Sequence, residues 1–268
     1  MTKTKEIAWI GAMIEGGNLR LWLMDQASQL IDQRDIIVDG DPELALQEAL
    51  PDRDIPALRA GWPDAPLRPT PCEVAVAASD RLIGGVFQKA PAGILRGEIV
   101  AVVGYVAAHP DFDGVICLIG SKTVWLHISA QEIVSFRAFL TPGLLQHLGA
   151  DIDQSPLDTD ALTAAVWQAM SRPSAIAADL ASVQAQQELG LAEGGPLTAR
   201  LHGLLIGVEL AAAKPYWLGQ NVVLIGTAEL AAAYEKALRA QSIEPLNVAL
   251  DECILNGFSY LRTSSENK

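Results

Sequence analysis

The stretch from residue 95 to residue 125 constrains the fold more than any other part of the chain. It opens on Leu-Arg-Gly-Glu at 95–98, and a run of apolar and small residues predicts a helix over 94–108. The wholly apolar run at 114–119 predicts a buried strand that leads into Gly-Ser-Lys-Thr at 120–123. A helix, a buried strand and a glycine-containing turn in this order indicate an α/β fold.

Two parts of this stretch carry residues that suit phosphoryl transfer. The carboxylate of Glu98 can accept a proton from a substrate hydroxyl. The turn at 120–123 follows a strand, so its backbone N–H groups can bind phosphate oxygens. Each feature also has a plainer interpretation, because Glu98 can be a surface carboxylate at a helix start and the turn can be an ordinary hairpin. The sequence alone leaves both interpretations open.

The rest of the chain predicts antiparallel strand pairing first and parallel pairing later. Apolar segments on either side of Glu-Gly-Gly-Asn at 15–18 predict a β-hairpin, whereas strands alternate with helices after residue 220. Six prolines make 51–71 the least regular segment, and 130–148 predicts helical stretches broken at 141–143. Further helices and strands are predicted at 42–50, 124–128, 159–170, 176–189, 197–213, 221–225, 228–241, 246–250 and 252–263.

Composition and charge narrow the class of protein. Half of the 268 residues are apolar, which suffices for a large core, yet charged residues interrupt each apolar run before it reaches membrane-spanning length. No apolar segment typical of a secretion signal follows the charged start, so we expect a cytoplasmic protein. A net charge of −13 disfavours nucleic acid and anionic membranes as partners. The three cysteines and four histidines lack the spacing of disulfide frameworks or metal sites.

Other glycine motifs allow both a functional and a structural interpretation. The turn at 15–18 can bring backbone N–H groups to a phosphate, or can simply supply the positive φ angles of a hairpin. Gly-Thr at 226–227 lies between a strand and a helix, where a ligand can bind against the helix N-terminus. Gly203 and Gly207 lie four residues apart and favour close packing, with Glu209 as a buried or half-buried polar anchor.

Several segments follow, in order, the motifs of one enzyme family. Trp-Ile at 9–10 and Asn-Leu-Arg at 18–20 are similar to a first phosphate strand, and Leu-Arg-Gly-Glu at 95–98 is similar to an M-R-G-E-E motif. Further matching segments lie at 61–71, 120–125, 203–210 and 224–238. The chain thereby resembles the 2-keto-3-deoxygalactonate kinases (2-dehydro-3-deoxygalactonokinases), sugar-acid kinases of the actin-like ATPase superfamily.

The chain departs from these motifs at residues that handle metal and phosphate. Where the family has D-W-G-T-T, the chain has Met-Ile-Glu-Gly-Gly at 13–17, so the superfamily's aspartate near Mg²⁺ is absent and Glu15 is the nearby carboxylate. The family's His and Lys of the second phosphate turn are replaced by Lys122 and Val124, and its M-T-G-E segment becomes Leu-Thr-Pro-Gly at 140–143. These departures leave open whether the chain is a working kinase or an impaired homologue.

The resemblance implies the actin-like ATPase fold, with two α/β domains of ribonuclease H-like fold around an interdomain cleft. We expect residues 1–107 to form the domain on the substrate side and residues 108–268 to form the domain on the nucleotide side. The ligands are expected to be ATP, Mg²⁺ and a small-molecule sugar acid, and the protein is expected to be a monomer or homodimer that binds neither nucleic acid nor membrane.

The resemblance also implies roles for individual residues. Glu98 would be the general base, and Arg96 would bind the sugar acid or its carboxylate. The residues implied to bind ATP are Gly16, Gly17, Asn18, Gly120, Ser121, Lys122, Gly226 and Thr227, with Glu15 implied for the metal. The predicted activity is phosphorylation of 2-dehydro-3-deoxy-galactonate or a similar keto-deoxy sugar acid. The alternatives are an impaired kinase homologue that binds a ligand or partner, and an unrelated α/β binding protein.

Overall fold

Strands dominate the first half of the chain and helices dominate the second half. The computed structural model describes residues 6–50, 52, 54–75, 78–79, 81–150, 157–191 and 194–266. The strands are β1 (Trp9–Glu15), β2 (Asn18–Met24), β3 (Leu30–Ile37), β4 (Ala57–Ala60), β5 (Leu67–Pro69), β6 (Cys72–Glu73), β7 (Ala78–Ser79), β8 (Leu82–Ile83), β9 (Gly85–Lys89), β10 (Ala92–Leu95), β11 (Gly114–Ile119), β12 (Thr123–Ser129), β13 (Glu132–Phe139), β14 (Val222–Gly226) and β15 (Leu246–Ala249). The helices are α1 (Pro42–Ala49), α2 (Ile99–Ala108), α3 (Thr141–His147), α4 (Thr159–Ser171), α5 (Ile176–Glu188), α6 (Gly195–Trp217), α7 (Ala228–Arg239) and α8 (Leu250–Glu266).

The chain divides into two compact units that are not consecutive in sequence. The first comprises the described residues of Met1–Phe112, Ser129–Ser135 and Asp251–Lys268, and the second comprises those of Asp113–Ile128 and Phe136–Leu250. The first unit thus contains the last helix of the chain. The division into domains at residues 107 and 108 rests on sequence order alone and stays a prediction.

The predicted hairpin forms the centre of the first unit. Strands β1 and β2 pair antiparallel from Trp9 opposite Met24 to Glu15 opposite Asn18, in a six-stranded sheet of order β3-β2-β1-β4-β8-β7. Both faces of the hairpin are covered, because alternate residues of a strand point to opposite faces. One face packs in a cluster with Leu46 and the other, through Gly11, lies against the Phe258 ring of α8.

Helices α2 and α8 pack at very short distance because glycines lie at the crossing. A Cβ atom at Gly104 would overlap with the carbonyl oxygen of Cys253, and a Cβ atom at Gly257 would overlap with the carbonyl oxygen of Val100. All eight residues from Ile99 to Val106 are buried. This contact fixes the last helix of the chain within the first unit.

The second unit follows the predicted alternation of strand and helix. Strands β15, β14, β11 and β12 are neighbours in that order in its sheet, where β14 pairs in parallel with β11 and with β15, while β11 and β12 are antiparallel. Helix α6 crosses α4 closely, since a Cβ atom at Gly203 or Gly207 would collide with the carbonyl oxygens of Leu162 and Val166. The packing role predicted for these two glycines is therefore confirmed.

Three parts of the secondary-structure prediction were wrong. The segment expected to be helical from residue 130 forms β13, because Ala130 and Gln131 adopt φ values of 49° and 61° and connect β12 to β13. Alanine and glutamine favour helices, so tertiary pairing overrides the local preference here. Residues 141–143 begin helix α3 rather than interrupting a helix, and the helix expected from residue 94 starts at Ile99, after β10.

Within the residues that the structure describes, no helix combines the length and the apolar character that a membrane crossing requires.

The α4–α6 contact predicts a specific stability effect. Gly203→Ala should lower the free energy of unfolding by about 1–3 kcal/mol, because the added methyl group would meet the backbone of α4. Gly195→Ala is the control, since an added Cβ in the first turn of α6 has no described atom within 4 Å, and its effect should be near zero. Urea denaturation followed by circular dichroism measures both. Equal stabilities of the two variants would contradict this account of the contact.

Candidate nucleotide and substrate sites

A pocket of about 380 Å³ lies within the second unit. Its walls are the turn between β11 and β12, α3 with the residues that follow it, and the start of α7, and a side chain of α6 also lines it. The lining residues are Gly120, Ser121, Pro142, Gly143, Leu145, Gln146, Ala150, His202, Thr227, Glu229 and Leu230. Three residues implied to bind ATP, namely Gly120, Ser121 and Thr227, thus lie together on one pocket.

The β11–β12 turn presents backbone and a hydroxyl group to this pocket. Ile119 and Thr123 are opposite each other at the strand ends, and the N–H of Gly120 donates to the carbonyl oxygen of Lys122 over 3.0 Å. Ser121 is exposed, whereas Lys122 is half-buried and, among the described residues, does not belong to the pocket lining. Gly120 and Ser121 are therefore the members of this turn that a ligand in the pocket would contact.

The start of α7 offers backbone N–H groups of the kind that bind phosphate. Thr227 precedes the helix with extended backbone angles, and its side chain makes no capping hydrogen bond within the described part of the chain. The first N–H groups of a helix lack intrahelical partners and carry partial positive charge. Gly226 itself is buried, since a Cβ atom there would lie 3.0 Å from the Cβ atom of Ile119. This glycine allows β14 and β11 to approach, and Thr227 lines the pocket.

A buried carboxylate lies beneath the pocket. Glu209 of α6 is 1% exposed. Its Oε1 accepts a hydrogen bond from Trp125 Nε1 over 2.8 Å, and its Oε2 accepts one from the Tyr234 hydroxyl over 2.9 Å. The side chains of Thr141 and Thr123 also hydrogen-bond to it. The prediction that Glu209 is a buried or half-buried polar anchor is confirmed.

Burial controls the protonation of this cluster. Burial raises the pKa of Glu209 from 4.5 to about 7, although the hydrogen bonds from its four neighbours act in the opposite direction. Burial also raises the pKa of Tyr234 and of Cys117, and the Glu209 charge raises them further. Both neighbours therefore remain protonated near neutral pH, and Glu209 is the group of this cluster that titrates there.

In the first unit, the end of β1 contacts two segments that resemble family motifs. A Cβ atom at Gly61 would overlap with the carbonyl oxygen of Ile14, and a Cβ atom at Gly97 would lie 2.8 Å from Met13 Cγ and 3.0 Å from the Ile14 oxygen. Gly61 also has a φ of 89°. Because these two glycines have no side chain, residues 61–62 and 96–98 can pack against the last residues of β1.

Arg96 and Glu98 are oriented by backbone hydrogen bonds. Arg96 Nη1 donates to the carbonyl oxygen of Trp62 over 3.1 Å, and the backbone N–H of Arg96 donates to Glu98 Oε2 over 2.8 Å. Both side chains are half-buried, and Glu98 lies immediately before α2. The predicted general base and the neighbouring guanidinium are thus held in one short segment with defined orientation.

Glu43 of α1 supports this segment indirectly, through Trp62. Its Oε2 accepts hydrogen bonds from Trp62 Nε1 over 3.0 Å and from Arg59 Nη1 over 3.1 Å. Because the Trp62 carbonyl oxygen in turn accepts from Arg96, the hydrogen bonds connect Glu43 to the 96–98 segment. Nothing in the local sequence around Glu43 indicates this role, since the partners are 16 and 19 residues away.

The turn between β1 and β2 places its predicted residues at the surface. Gly16 and Gly17 have φ values of 59° and 83°, which explains the two glycines structurally. They are exposed together with Asn18, whereas Glu15 is half-buried. Among the described residues, no three His, Cys, Asp or Glu side chains gather into a metal-binding group. The turn therefore offers backbone groups and a single adjacent carboxylate.

Sequence reasoning missed several residues of the pocket, and the signals differ. Pro142 and Gly143 lie in a segment noted only for its departure from a family motif. Glu229 follows the predicted turn by two residues and could have been found from its position in the first turn of α7. His202 comes from α6 and reaches the pocket through tertiary packing, which no local pattern reveals.

The raised pKa of Glu209 predicts how stability changes with pH. The folded state binds more protons than the unfolded state between pH 4.5 and pH 7, so the contribution of Glu209 is complete at low pH and is lost as pH rises through about 7. Relative to Glu209→Gln, the free energy of unfolding should fall by roughly 3 kcal/mol from pH 5 to pH 8. Urea denaturation of both proteins at these pH values measures the difference. A constant difference would contradict the assigned pKa.

Comparison with known proteins identifies the family of the chain. The model of the 2-keto-3-deoxy-galactonokinase family matches residues 57–261. A probable 2-dehydro-3-deoxygalactonokinase of Rhizobium meliloti is 27% identical over 75% of the chain and 73% of its own length. A 2-dehydro-3-deoxygalactonokinase of Escherichia coli is 30% identical over 61% of the chain and 58% of its own length.

Solved structures share the fold. A putative 2-dehydro-3-deoxygalactonokinase from Sinorhizobium meliloti superposes with a TM-score of 0.77 at 22% identity, over 96% of both chains. An activator of 2-hydroxyisocaproyl-CoA dehydratase from Clostridium difficile superposes with a TM-score of 0.54 at 12% identity, over 97% of both chains. The predicted α/β fold of the actin-like ATPase type is confirmed. Because the family model spans most of its length, the chain belongs to the 2-keto-3-deoxy-galactonokinase family.

Proposed function

We propose that the protein is an ATP-dependent kinase that phosphorylates 2-dehydro-3-deoxy-galactonate or a similar keto-deoxy sugar acid. The observation that carries this proposal is the family match over residues 57–261, which contains both the 96–98 segment and the second-unit pocket. Both curated relatives are named as 2-dehydro-3-deoxygalactonokinases. The chemistry of the two sites agrees with phosphoryl transfer.

The second-unit pocket suits the phosphates of ATP. Ser121 presents a hydroxyl donor next to Gly120, and Thr227 immediately precedes α7, whose N-terminus favours negative charge. Such neutral donors bind phosphate without a cluster of basic side chains, which fits the acidic composition of the chain. Glu229 on the same wall would repel phosphates, and we assign it to the nucleoside end, where hydroxyl and amino groups can donate to it.

The 96–98 segment suits a sugar acid. The Arg96 guanidinium, which already donates to the Trp62 carbonyl oxygen, can bind the substrate carboxylate with its other N–H groups. The Glu98 carboxylate, oriented by the Arg96 N–H, would accept the proton of the substrate hydroxyl. The hydroxyl oxygen then forms a bond to the γ-phosphorus of ATP while the bond to the bridging oxygen breaks and ADP leaves.

The proposal includes Mg²⁺ bound together with ATP. Such an ion needs only one or two protein carboxylates, because phosphate oxygens and water supply the remaining ligands. Glu15, half-buried beside the β1–β2 turn, is the carboxylate that would bind it. The ion would supply positive charge to the β- and γ-phosphates. Gly16, Gly17 and Asn18 would contribute backbone donors from the adjacent turn.

The remaining parts of the proposal concern partners and location. We propose a monomer or homodimer in the cytoplasm that binds a small molecule and neither nucleic acid nor membrane, which the net charge of −13 supports. The alternative is an impaired homologue that only binds a ligand, which Met13 in place of the family's aspartate suggests. The comparisons do not favour it, because the relatives are named as kinases.

The role of Glu98 predicts a kinetic effect. Glu98→Gln keeps an oxygen that can accept from the Arg96 N–H but removes the base, so kcat should fall about 10²–10⁴-fold with little change in Mg·ATP affinity. Glu188→Gln, an exposed residue of α5, is the control. ADP release with 2-dehydro-3-deoxy-galactonate measures kcat. Full activity of Glu98→Gln would remove this role, and no turnover of the wild type on a panel of sugar acids would overturn the proposed function.

The role of Glu15 predicts a changed metal requirement. Glu15→Gln should raise the Mg²⁺ concentration that gives half-maximal activity by roughly tenfold, because a neutral amide is a weaker ligand for a hard cation. Glu48→Gln, an exposed carboxylate of α1, should leave it unchanged. Initial rates across a Mg²⁺ series at saturating ATP give this concentration. Identical midpoints in the two variants would exclude Glu15 as a ligand.

A further inference from the structure

Glu209 touches every element that forms a wall of the second-unit pocket. The carboxylate belongs to α6, and its hydrogen-bond donors come from β12, α3 and α7 through Trp125, Thr141 and Tyr234. Thr123, the first residue of β12, bonds both to Glu209 and to the Tyr234 hydroxyl, the latter over 2.8 Å. The hydrogen bonds thus form one buried network beneath the pocket.

Each donor is close in sequence to residues that line the pocket. Thr123 follows Ser121 by two residues, and Thr141 directly precedes Pro142. Tyr234 lies four residues after Leu230, on the same side of α7. A shift of any of these donors would therefore move the adjoining wall.

We propose that Glu209 is a positioning residue that holds the three walls at the spacing required for nucleotide binding. The identity of the ligand rests on the proposed function, whereas the spacing of the walls is a property of the protein alone. The residue does not itself contact a ligand, since it lies beneath the lining.

The chemistry of the network requires a hydrogen-bond acceptor at this position. The indole N–H of Trp125 can only donate, and a carboxylate accepts on both oxygens. An aliphatic residue would leave buried donors without an acceptor, at a considerable cost for each. Burial of a carboxylate is itself unfavourable, as the raised pKa of Glu209 records, and a core built only for stability would favour an apolar residue here. A carboxylate is present here because Glu209 accepts hydrogen bonds from all three walls, which an apolar residue could not do.

The same core contains a matched control. Trp217, like Trp125, is a buried tryptophan of this cluster whose Nε1 donates over 2.8 Å. Its acceptor is the backbone carbonyl oxygen of Leu210, within α6, so it connects no pocket wall. Replacement of either tryptophan by Phe removes one indole N–H and a similar volume.

Hydrogen–deuterium exchange without ligand, together with Mg·ATP titration calorimetry, tests the proposal on the full chain. Trp125→Phe and Glu209→Ala should speed amide exchange at 120–123, at 141–147 and in the first turn of α7, and should weaken Mg·ATP binding roughly tenfold. Glu209→Gln keeps an acceptor for Trp125 and can donate to Tyr234, so its affinity for Mg·ATP should fall less than threefold. Trp217→Phe should lower stability without selective exchange in the walls.

Two results would overturn the proposal. The first is that Trp125→Phe and Glu209→Ala speed amide exchange only in α6 and its immediate neighbours. The second is that amides of the three pocket walls exchange equally fast in Trp125→Phe and in Trp217→Phe. If Glu209→Ala does not fold, Trp125→Phe decides the matter with its control. Absence of Mg·ATP binding by the wild type would count against the proposed function, while the exchange experiment would still decide whether Glu209 holds the walls.

Discussion

The buried carboxylate of Glu209 is the interaction on which the second unit depends. One strand of the sheet and two helices supply its donors, and each donor would be costly to bury without an acceptor. Because Glu209, Tyr234 and Cys117 are buried, the hydrogen bonds of this cluster lie in a medium of low polarity and are correspondingly strong. The pocket above it therefore has walls whose relative positions are set by a polar core.

In the first unit, glycines rather than a buried carboxylate hold the candidate site residues in position. Gly61 and Gly97 allow two loops to touch the end of β1, and no side chain larger than hydrogen would fit at either position without displacement. Backbone hydrogen bonds then orient Arg96 and Glu98 on this base. Close backbone approach gives rigid placement, which the roles proposed for Glu98 and Arg96 would require.

The success of sequence reasoning depended on whether the deciding contact is local. The β1–β2 hairpin could be predicted because Gly16 and Gly17 signal their own positive φ angles. The β12–β13 connection could not, since Ala130 and Gln131 adopt similar angles without any such signal. Likewise, Glu98 and Ser121 belong to recognisable motifs. Glu209, by contrast, is 25 residues from its donor Tyr234 and 84 residues from its donor Trp125.

The departures from the family's motifs acquire a common physical meaning in the structure. At 13–17 the chain has a turn with exposed glycines, and at 140–143 it has Pro142 and Gly143 on the pocket wall. At 16, 17 and 143 glycine replaces a polar side chain of the motif, so that only backbone groups remain there. A backbone donor moves with the helix or strand that carries it. A chain that relies on such donors therefore needs stronger contacts between these elements. The network around Glu209 supplies such contacts for the second-unit pocket.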